Sequence, residues 1–472
     1  MKNNLFADFQ KVTKEEWIGQ AIKDIKGKDF QKTLVSNGFD GVELFPFYTE
    51  EDIADLQWLQ EYHNRLNKPS EIPGMSPRYW SNIFAVNVND VVADNKKILQ
   101  ALMSGADALL LSVKKGVDYG GLLKNVDTQY IEIYLKAQED NQAVLSDFLD
   151  WYSTVEEKKN VLKGGLLWDP IAECLSKKIS LPNIIDSASE ALSRNKIYPE
   201  FKTFCIDAEY YHNCGASLAQ QLFLPLGAYI ELLDGLTERG LSAELIISNT
   251  MLQAASGSDY FLEIAKLRSF KILFQQLADL YQVDLKAEDI RMLVSTSYWT
   301  KAKADIQTNM LRNTTEAMSA ILGSCDSLWV RLHDEVEKEP NSFAERMARN
   351  ISNILKEESY LDKVMDPIAG SYFLETVTAQ LIEKVKNELM ILESKGGWWS
   401  TYETHQLQDL VKAARYGKLE EIKTSFKTKI GVNKYQTNEK TLLENEEWVE
   451  EKWQLFPLRE SFLIEYPNLA KK

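Results

Sequence analysis

The stretch ALLLSV at 108–113 is one of eight short apolar runs that decide the fold of this 472-residue chain. In chain order the runs are FAVNV (84–88), ALLLSV (108–113), YIEIYL (130–135), GGLLWD (164–169), TFCIDA (203–208), ELIISN (244–249), RMLVST (291–296) and SLWVRL (327–332). A stretch long enough for a helix follows each run. Near-continuous apolar runs with helical connections are typical of parallel strands covered on both faces, and eight of them close a barrel. We therefore predict an α/β fold, a (β/α)8 TIM barrel.

The segments on either side of these runs do not repeat the pattern. Residues 1–80 contain one predicted helix, KVTKEEWIGQAIKDI, and then a turn-rich stretch with several prolines. Residues 397–472 are rich in Trp, Tyr and polar residues without a parallel-sheet pattern, which favours a segment that wraps a surface. We expect an N-terminal arm at 1–80, the barrel at 81–396 and a C-terminal tail at 397–472.

Two helix starts can be predicted from capping boxes. Thr13 is followed three positions later by Glu16, and Ser342 is followed by Glu345. In this pattern each of the two side chains bonds the backbone N–H of the other residue. We predict that a helix begins at each pair.

The charge balance excludes some partners. The chain carries 54 Lys and Arg against 70 Asp and Glu, for a net charge of -16, and its basic residues are interspersed among acidic ones. This pattern disfavours nucleic-acid binding. The start MKNNLFADFQ lacks the apolar region of a signal peptide, and no apolar run approaches the length of a membrane span. We expect a cytoplasmic protein with no membrane partner.

The cysteines have no spacing that indicates a metal site. Cys174, Cys205, Cys214 and Cys325 lie far apart and form no CxxC pair. Free cysteine is among the most buried residue types. We predict four buried free thiols, with no metal bound.

Three later segments carry a family resemblance. They are NMLRNTTEAMSAILG (309–323), DPIAGSYFLE (366–375) and GVNKY (431–435). Together with WIGQAIKDIKG and GFDGVELFPFY near the N-terminus, they resemble the coenzyme-B12-dependent methylmalonyl-CoA mutase family. Local interpretations also exist, since Asp366 with Pro367 could start the following helix and Gly370 could form a turn.

The resemblance implies a specific chemistry. In this family a (β/α)8 barrel binds the acyl-CoA through its axis, and a separate C-terminal domain holds adenosylcobalamin. Homolysis of the cobalt–carbon bond then starts a radical rearrangement. A Tyr-His pair in the motif SGYHxxEAGA hydrogen-bonds the thioester carbonyl in catalytic chains.

The chain departs from that motif at its catalytic pair. The corresponding stretch is DAEYYHNCGA, so Glu209 stands in place of the family's Tyr and Tyr210 in place of its His. His212 comes two positions too late, an offset of about 7 Å along an extended chain. Tyr210 could donate a hydrogen bond, but it cannot cycle a proton near neutral pH as a histidine can.

Two further polar motifs are also altered. The family's RTHCQTSGWSLT is RMLVSTSYWTKA from Arg291 here, so that Leu293 replaces a second active-site His. The family's RPWTIRQYAGF is RYWSNIFAVNV from Arg78, so that its second Arg is apolar. These losses imply that the chain has no catalytic residues of its own.

The cobalamin motif of the family is missing as well. The family's DxHxxG motif supplies a cobalt-ligating His, and none of His63, His212, His333 and His405 has this context. Only 37 residues follow GVNKY, fewer than the roughly 100 that a doubly wound domain needs. We expect no cobalamin-binding domain and no cofactor on this chain.

These departures match the family's small, non-catalytic subunit. The resemblance then implies a heterodimer with a large catalytic mutase subunit, which holds adenosylcobalamin and converts methylmalonyl-CoA to succinyl-CoA. One alternative is an acyl-CoA mutase barrel that works with a separate cobalamin-binding protein. Another alternative is a non-enzymatic binding or scaffold protein.

Four residues are candidates for the mouth of the barrel. Asp207, Asn249 and Thr296 fall at the carboxyl ends of predicted strands, where barrel enzymes build their sites, and Tyr210 follows close behind. They could be remnants of a CoA channel. The alternative interpretation is that they cap the helices that follow the strands.

Aromatic residues near the C-terminus also allow two interpretations. Trp398, Trp399, Trp448 and Trp453 could form a partner surface, where aromatic residues are enriched. They could equally pack the tail onto its own barrel.

Overall fold

The structure, a computed structural model, describes residues 12–37, 41–66, 74–155, 162–337, 341–436 and 449–466. At its centre lies a sheet of parallel strands. These strands are β1 (Ser81–Asn87), β2 (Ala108–Val113), β3 (Glu132–Ala137), β4 (Lys163–Leu166), β5 (Phe201–Lys202 and Phe204–Asp207), β6 (Thr250–Ser256), β7 (Met292–Thr296) and β8 (Ser327–Trp329).

The sheet closes into a barrel through β5, which is interrupted at one residue. The segment Phe201–Lys202 pairs with β4, and the segment Phe204–Asp207 pairs with β6. Between them, the N–H of Thr203 donates to the Asn249 carbonyl instead. Nine strand segments thus form eight barrel strands, and the predicted (β/α)8 barrel is confirmed.

Helices surround the barrel. They are α1 (Lys14–Asp24), α2 (Phe30–Leu34), α3 (Gln57–Leu66), α4 (Val91–Leu102), α5 (Tyr119–Leu122), α6 (Asn141–Ser153), α7 (Leu181–Asn195), α8 (Ala208–Asn213), α9 (Gln220–Glu238), α10 (Ala243–Ser248), α11 (Tyr260–Leu280), α12 (Asn309–Leu322), α13 (Ser342–Glu357), α14 (Tyr372–Ser394), α15 (Gly397–Glu403), α16 (Gln406–Lys423) and α17 (Phe462–Glu465). Short 3-10 turns lie at Glu50–Ile53, Ala172–Leu175 and Ala287–Asp289. Among the described residues, no helix combines the length and apolar character of a membrane span.

One predicted strand is wrong. The run ELIISN (244–249) lies in helix α10 and its C-cap, and the sixth strand is β6, which follows it. The side chain of Ser242 accepts a hydrogen bond from the N–H of Leu245, so the helix has an N-cap. Ile246 and Ile247 are the buried residues of this short helix. Their β-branched side chains fit either kind of element when only a few residues are considered.

The two predicted capping boxes have different outcomes. The box of Thr13 and Glu16 is confirmed at the start of α1. The second box is wrong, because Asn341 is the N-cap of α13 and accepts a hydrogen bond from the N–H of Ala344. Ser342 is the first residue of the helix rather than its cap.

The N-terminal segment packs outside the barrel. A two-stranded antiparallel pair, Ser36–Asn37 with Glu43–Leu44, lies between α2 and α3. The ring of Trp17 stacks on Phe47 with centroids 4.7 Å apart. The ring of His63 in α3 lies 3.0 Å from Glu375 of α14, measured from Nε2 to Oε2. Side-chain contacts therefore connect this segment to the helical layer.

Candidate functional site

The carboxyl ends of the barrel strands form one mouth, and three of the four predicted site residues lie there. Asp207 ends β5, Thr296 ends β7, and Tyr210 lies in the first turn of α8. The fourth prediction is wrong. Asn249 precedes β6, which places it at the opposite end of the barrel.

Asn249 has a structural role at that opposite end. Its carbonyl accepts hydrogen bonds from the N–H groups of Thr203 and Phe204, at 2.9 and 3.2 Å. Its side-chain oxygen accepts from Asn195 Nδ2 at 3.3 Å. The carbonyl bonds hold the break in β5, and the buried side chain finds its own partners, since its Nδ2 also donates to the Leu245 carbonyl at 2.9 Å.

Asp207 is the N-cap of helix α8. Its side-chain oxygen accepts a hydrogen bond from the N–H of Tyr210 at 2.9 Å, as the capping interpretation predicts. Burial and the neighbouring Glu209 raise the pKa of Asp207 to about 8. Burial also raises the pKa of Asp169, which accepts from the Asp207 N–H at 3.3 Å, to about 6.

Glu209, in the family's Tyr position, forms a buried ion pair. Its carboxylate bonds the guanidinium of Arg331, and its second oxygen accepts from Gln253 Nε2 at 2.8 Å. Burial alone would raise the pKa of Glu209, but the positive charges of Arg331 and Lys136 and these hydrogen bonds lower it overall. A carboxylate held in this way is a fixed negative charge rather than a proton donor at neutral pH.

Arg331 is the residue that the sequence analysis missed. It bonds Glu335 at 3.1 Å from Nη1 to Oε2, and its guanidinium carbon lies 4.1 Å from the ring centroid of Trp329. The backbone N–H of Arg331 donates to Thr296 Oγ1 at 2.9 Å. Thr296 thus connects the end of β7 to the chain after β8. Glu209 and Arg331 are 122 positions apart, so no local pattern in the sequence could reveal the pair.

The family's other two altered positions lie inside the barrel. Leu293, in the second His position, and Ile83, in the position of the second Arg, belong to one apolar cluster. The remaining members of that cluster are Ala108, Leu110, Tyr134, Cys205 and Met251. All seven are less than 5% exposed. Side chains of this cluster therefore occupy the barrel interior at this level, and Ile83 and Leu110 also line a cleft that opens at the mouth.

The C-terminal segment 449–466 lies over one half of the mouth, at the loops after β4, β5 and β7. We call this the covered half. The N–H of Leu455 donates to the Leu175 carbonyl at 3.1 Å, and the Leu455 carbonyl accepts from the Tyr210 hydroxyl. The N–H of Glu460 donates to the Trp299 carbonyl at 2.9 Å. Tyr210 therefore anchors the tail.

Buried ion pairs hold the covered half in place. Arg415 of α16 is fully buried and bonds Glu450 with both of its terminal nitrogens. Lys429 bonds Glu460 at 2.6 Å, and Arg459 bonds Glu465 at 2.5 Å. Lys429 and Glu460 are 31 positions apart and Arg459 and Glu465 are 6 apart, and all four side chains are buried.

The other half of the mouth, around β1, β2, β3 and β8, is the open half. It contains a cleft of about 390 Å³. The cleft walls include Phe84, Ala85, Lys136, Trp329, Arg331 and Ala348. Part of this lining comes from the inward-facing side of the strands and part from helix α13.

The segments that carry the family resemblance support this architecture. In NMLRNTTEAMSAILG, Asn309 Nδ2 donates to the His333 carbonyl at 2.9 Å, and Asn313 Nδ2 donates to the Arg331 carbonyl at 2.7 Å. Arg312 Nη2 donates to the carbonyl of Ile430, next to GVNKY, at 2.6 Å. The motif thus fixes both the chain after β8 and the turn that begins at Ile430 within the C-terminal tail.

DPIAGSYFLE is a helix start. Ser371, rather than Asp366, caps α14. The N–H of Gly370, at a φ of 81°, donates to Glu375 Oε1 at 3.1 Å. Asp366 and Glu375 both pair with the buried Arg268, at 2.5 and 3.0 Å. The turn interpretation of Gly370 is therefore confirmed.

Trp398 packs the chain onto its own barrel. It is fully buried, and its Nε1 donates to the Tyr211 hydroxyl at 3.2 Å. Trp399 and Trp453 are partly buried. Trp448 lies outside the described residues.

Two of the histidines, His212 and His63, have buried polar partners within the chain. The ring nitrogens of His212 lie 2.7 Å from Ser297 Oγ and 3.1 Å from Gln221 Oε1. His63 faces Glu375 and Arg268. No group of three or more potential ligands (His, Cys, Asp or Glu) that could hold a metal occurs in the described part of the chain.

The chain is similar in sequence to known proteins of one family. A family model described as methylmalonyl-CoA mutase matches residues 107–455. The methylmalonyl-CoA mutase small subunit of Porphyromonas gingivalis is 32% identical over 446 residues, covering 92% of this chain and 71% of that protein. The small subunit of Streptomyces virginiae is 29% identical, covering 80% of this chain and 63% of that protein. The small subunit of Propionibacterium freudenreichii subsp. shermanii is 24% identical, covering 87% and 66%. The chain thus spans about two-thirds of the length of these relatives.

Proposed function

The chain belongs to the methylmalonyl-CoA mutase family, and we propose that it is the small, non-catalytic subunit of a heterodimeric mutase. The heterodimer would convert methylmalonyl-CoA to succinyl-CoA, with adenosylcobalamin on the large subunit. The names of the similar small subunits support this proposal.

One observation carries the non-catalytic assignment. The positions that correspond to the family's polar groups are used for packing, since Glu209 is in a buried ion pair and Leu293 is in the apolar cluster. A catalytic hydrogen bond requires its donor and acceptor to lie within about an ångström of the productive position. Neither residue can supply a proton-cycling group at the mouth, because Leu293 has no polar atom and Arg331 holds Glu209 ionised.

The proposed role is to stabilise the large subunit. A binding partner that recognises only the folded state stabilises that state by mass action. The four free cysteines, all buried, suit a reducing compartment, which supports a cytoplasmic location.

A turnover assay tests the proposal. Methylmalonyl-CoA and adenosylcobalamin are added to the chain alone, to the large subunit alone, and to the two together. We expect turnover from the mixture, none from the chain, and faster loss of activity on warming when the large subunit is alone. Turnover by the chain alone would overturn the non-catalytic assignment, and the lack of any complex would overturn the pairing.

A further inference from the structure

Helix α3 of the N-terminal segment places a histidine in the helical layer around the barrel. His63 is buried, and it lies 205 positions from Arg268 of α11 and 312 positions from Glu375 of α14. Its Nε2 is 2.8 Å from Arg268 Nη2 and 3.0 Å from Glu375 Oε2. One ring nitrogen is therefore within hydrogen-bond distance of both a guanidinium and a carboxylate.

The two neighbours make opposite demands on this nitrogen. A guanidinium can only donate hydrogen bonds, and an ionised carboxylate can only accept them. If Nε2 has no proton, it accepts from Arg268 and faces a second acceptor, Glu375 Oε2. If Nε2 carries a proton, it donates to Glu375 and faces a second donor, Arg268 Nη2. The proton on His63 therefore selects the partner of the ring.

The contacts of Arg268 favour the form with a proton on Nε2. Arg268 Nη2 also donates to Glu375 Oε1 at 3.0 Å, and Arg268 Nη1 donates to Asp366 Oδ2 at 2.5 Å. Both terminal nitrogens of Arg268 thus keep a carboxylate partner when Nε2 no longer accepts. In the described part of the chain, the hydrogen bond to Glu375 Oε2 comes from His63. Loss of the proton therefore removes the partner of this oxygen.

The charges in the cluster favour the protonated ring as well. Arg268 is one cation, whereas Glu375 and Asp366 are two carboxylates, so the cluster has one excess negative charge while His63 is neutral. An excess of nearby negative charge favours the charged form of a histidine. Burial alone would raise the pKa of Glu375, but the hydrogen bond from His63 and the charge of Arg268 lower it overall. The carboxylate of Glu375 is therefore ionised at neutral pH.

Other charged groups that contact α3 have their own partners. Asp279 of α11 pairs with Arg65 of α3, at 3.2 Å. Lys386 of α14 lies over the ring of Trp58, with Nζ 5.5 Å from the ring centroid. The charge balance at His63 is thus set by the cluster of Arg268, Glu375 and Asp366.

We propose that His63 is a proton-dependent latch that holds α3 against α11 and α14. The protonated ring binds Glu375, and loss of the proton weakens the contact. Histidine is the side chain that ordinarily titrates between pH 5 and 8. Because the docked helix binds more protons than the released helix, docking is strongest at mildly acid pH and weakens as pH rises through this range. The latch works within the chain and needs no partner subunit.

Hydrogen exchange followed by mass spectrometry measures the release of α3. Exchange of residues 57–66 is followed in the full chain at pH 6 and pH 8, and the rates are corrected for the intrinsic effect of pH on amide exchange. We expect opening of α3 to be at least about 5-fold more frequent at pH 8, within the limit of about 100-fold for one proton over two pH units. Helix α13, which contains no histidine, is the internal control. Equal changes in α3 and α13 would overturn the proposal.

The variant His63→Gln tests the role of the titrating ring. Glutamine supplies an amide that can donate to Glu375 but does not titrate. We expect the pH dependence of α3 opening to fall to less than about 2-fold, since no proton is released. His405→Gln, at the N-cap of α16, is the matched control and should retain the wild-type pH dependence. Thermal unfolding verifies that both variants fold. Wild-type pH dependence in His63→Gln would show that another group controls the helix.

A second variant, Glu375→Gln, tests the partner of the protonated ring. It keeps an oxygen that can accept from His63 Nε2 and removes the negative charge. A neutral acceptor holds an imidazolium less tightly than a carboxylate does. We expect a pH dependence of α3 opening clearly below that of the wild type, and an unchanged dependence would contradict the assignment of Glu375 as the partner.

Discussion

The two halves of the barrel mouth differ in what covers them. Over the loops after β4, β5 and β7, the chain's own segment 449–466 packs with buried ion pairs such as Arg415 with Glu450. Around β1 and β8 the mouth holds an open cleft. Barrel enzymes place their chemistry at this face. Here one half is covered by packing within the chain, and the other holds a cleft that the described part of the chain leaves open.

The largest expected effect lies at Arg331, where the two halves meet. The variant Arg331→Met leaves the carboxylates of Glu209 and Glu335 without their shared cation. We expect a loss of about 4 kcal/mol in the free energy of unfolding, because breaking a buried pair strands a charge. Urea unfolding at pH 7 measures it.

The control for Arg331→Met is Arg239→Met. Arg239 pairs with Asp186 at the surface, with the two side chains 31% and 68% exposed, so we expect a change below about 1 kcal/mol. Equal losses in the two variants would show that the Glu209 pair does not stabilise the mouth.

The covered half is tested by Arg415→Met. We expect a loss of about 3 kcal/mol, because Lys412 still lies 3.6 Å from Glu450 and retains part of the attraction. Protease cleavage within 449–466 should become faster in the same variant, since the segment loses its main anchor. Unchanged cleavage would mean that the ion pair does not hold the tail.

The pH dependence of stability tests the pKa of Asp207. Because its pKa is raised to about 8, the folded state keeps a proton that the unfolded state releases near pH 4. Stability should therefore fall as pH rises from about 4 to about 8, by at most about 1.4 kcal/mol per pH unit for one proton. Urea midpoints at pH 5, 6.5 and 8 measure this fall.

Asp207→Asn removes the titrating group and keeps a side chain that can cap α8. We expect this variant to lose less stability than the wild type between pH 5 and pH 8. Asp90→Asn, at the N-cap of α4, should retain the wild-type slope. A wild-type slope in Asp207→Asn would contradict the raised pKa.

The smallest expected effect is at Tyr210. Tyr210→Phe removes the hydroxyl that donates to the Leu455 carbonyl, and we expect a loss of about 1 kcal/mol. Thermal unfolding measures it, with Tyr130→Phe as the exposed control. If the two variants unfold alike, the hydroxyl does not anchor the tail.

Most of the barrel could be predicted from the sequence, because buried parallel strands leave near-continuous apolar runs. Seven of the eight predicted runs overlap observed strands. The exception was β6, whose buried Thr250, Gln253 and Ser256 interrupt the apolar pattern. Each makes a side-chain hydrogen bond that only the fold supplies, to Ile246, Glu209 and Ser319 respectively.

The site was harder to predict. Asp207, Tyr210 and Thr296 follow strands that the sequence revealed, so their place at the mouth could be inferred. The run predicted as the strand before Asn249 is helix α10. Asn249 therefore lies at the amino end of β6 and not at the mouth. Arg331 lies in an apolar run, and its partner Glu209 is 122 positions away along the chain. Only the closed barrel brings the two residues together, so the sequence did not predict their ion pair.

We propose, as the central claim, that the barrel of this chain does not take acyl-CoA, because an apolar cluster that includes Leu293 and Ile83 occupies its interior. Calorimetric titration of methylmalonyl-CoA into the chain alone tests it most directly, with the heterodimer as the positive control. We predict saturable heat for the heterodimer and none for the chain up to millimolar ligand. Saturable one-to-one binding by the chain alone would contradict the claim.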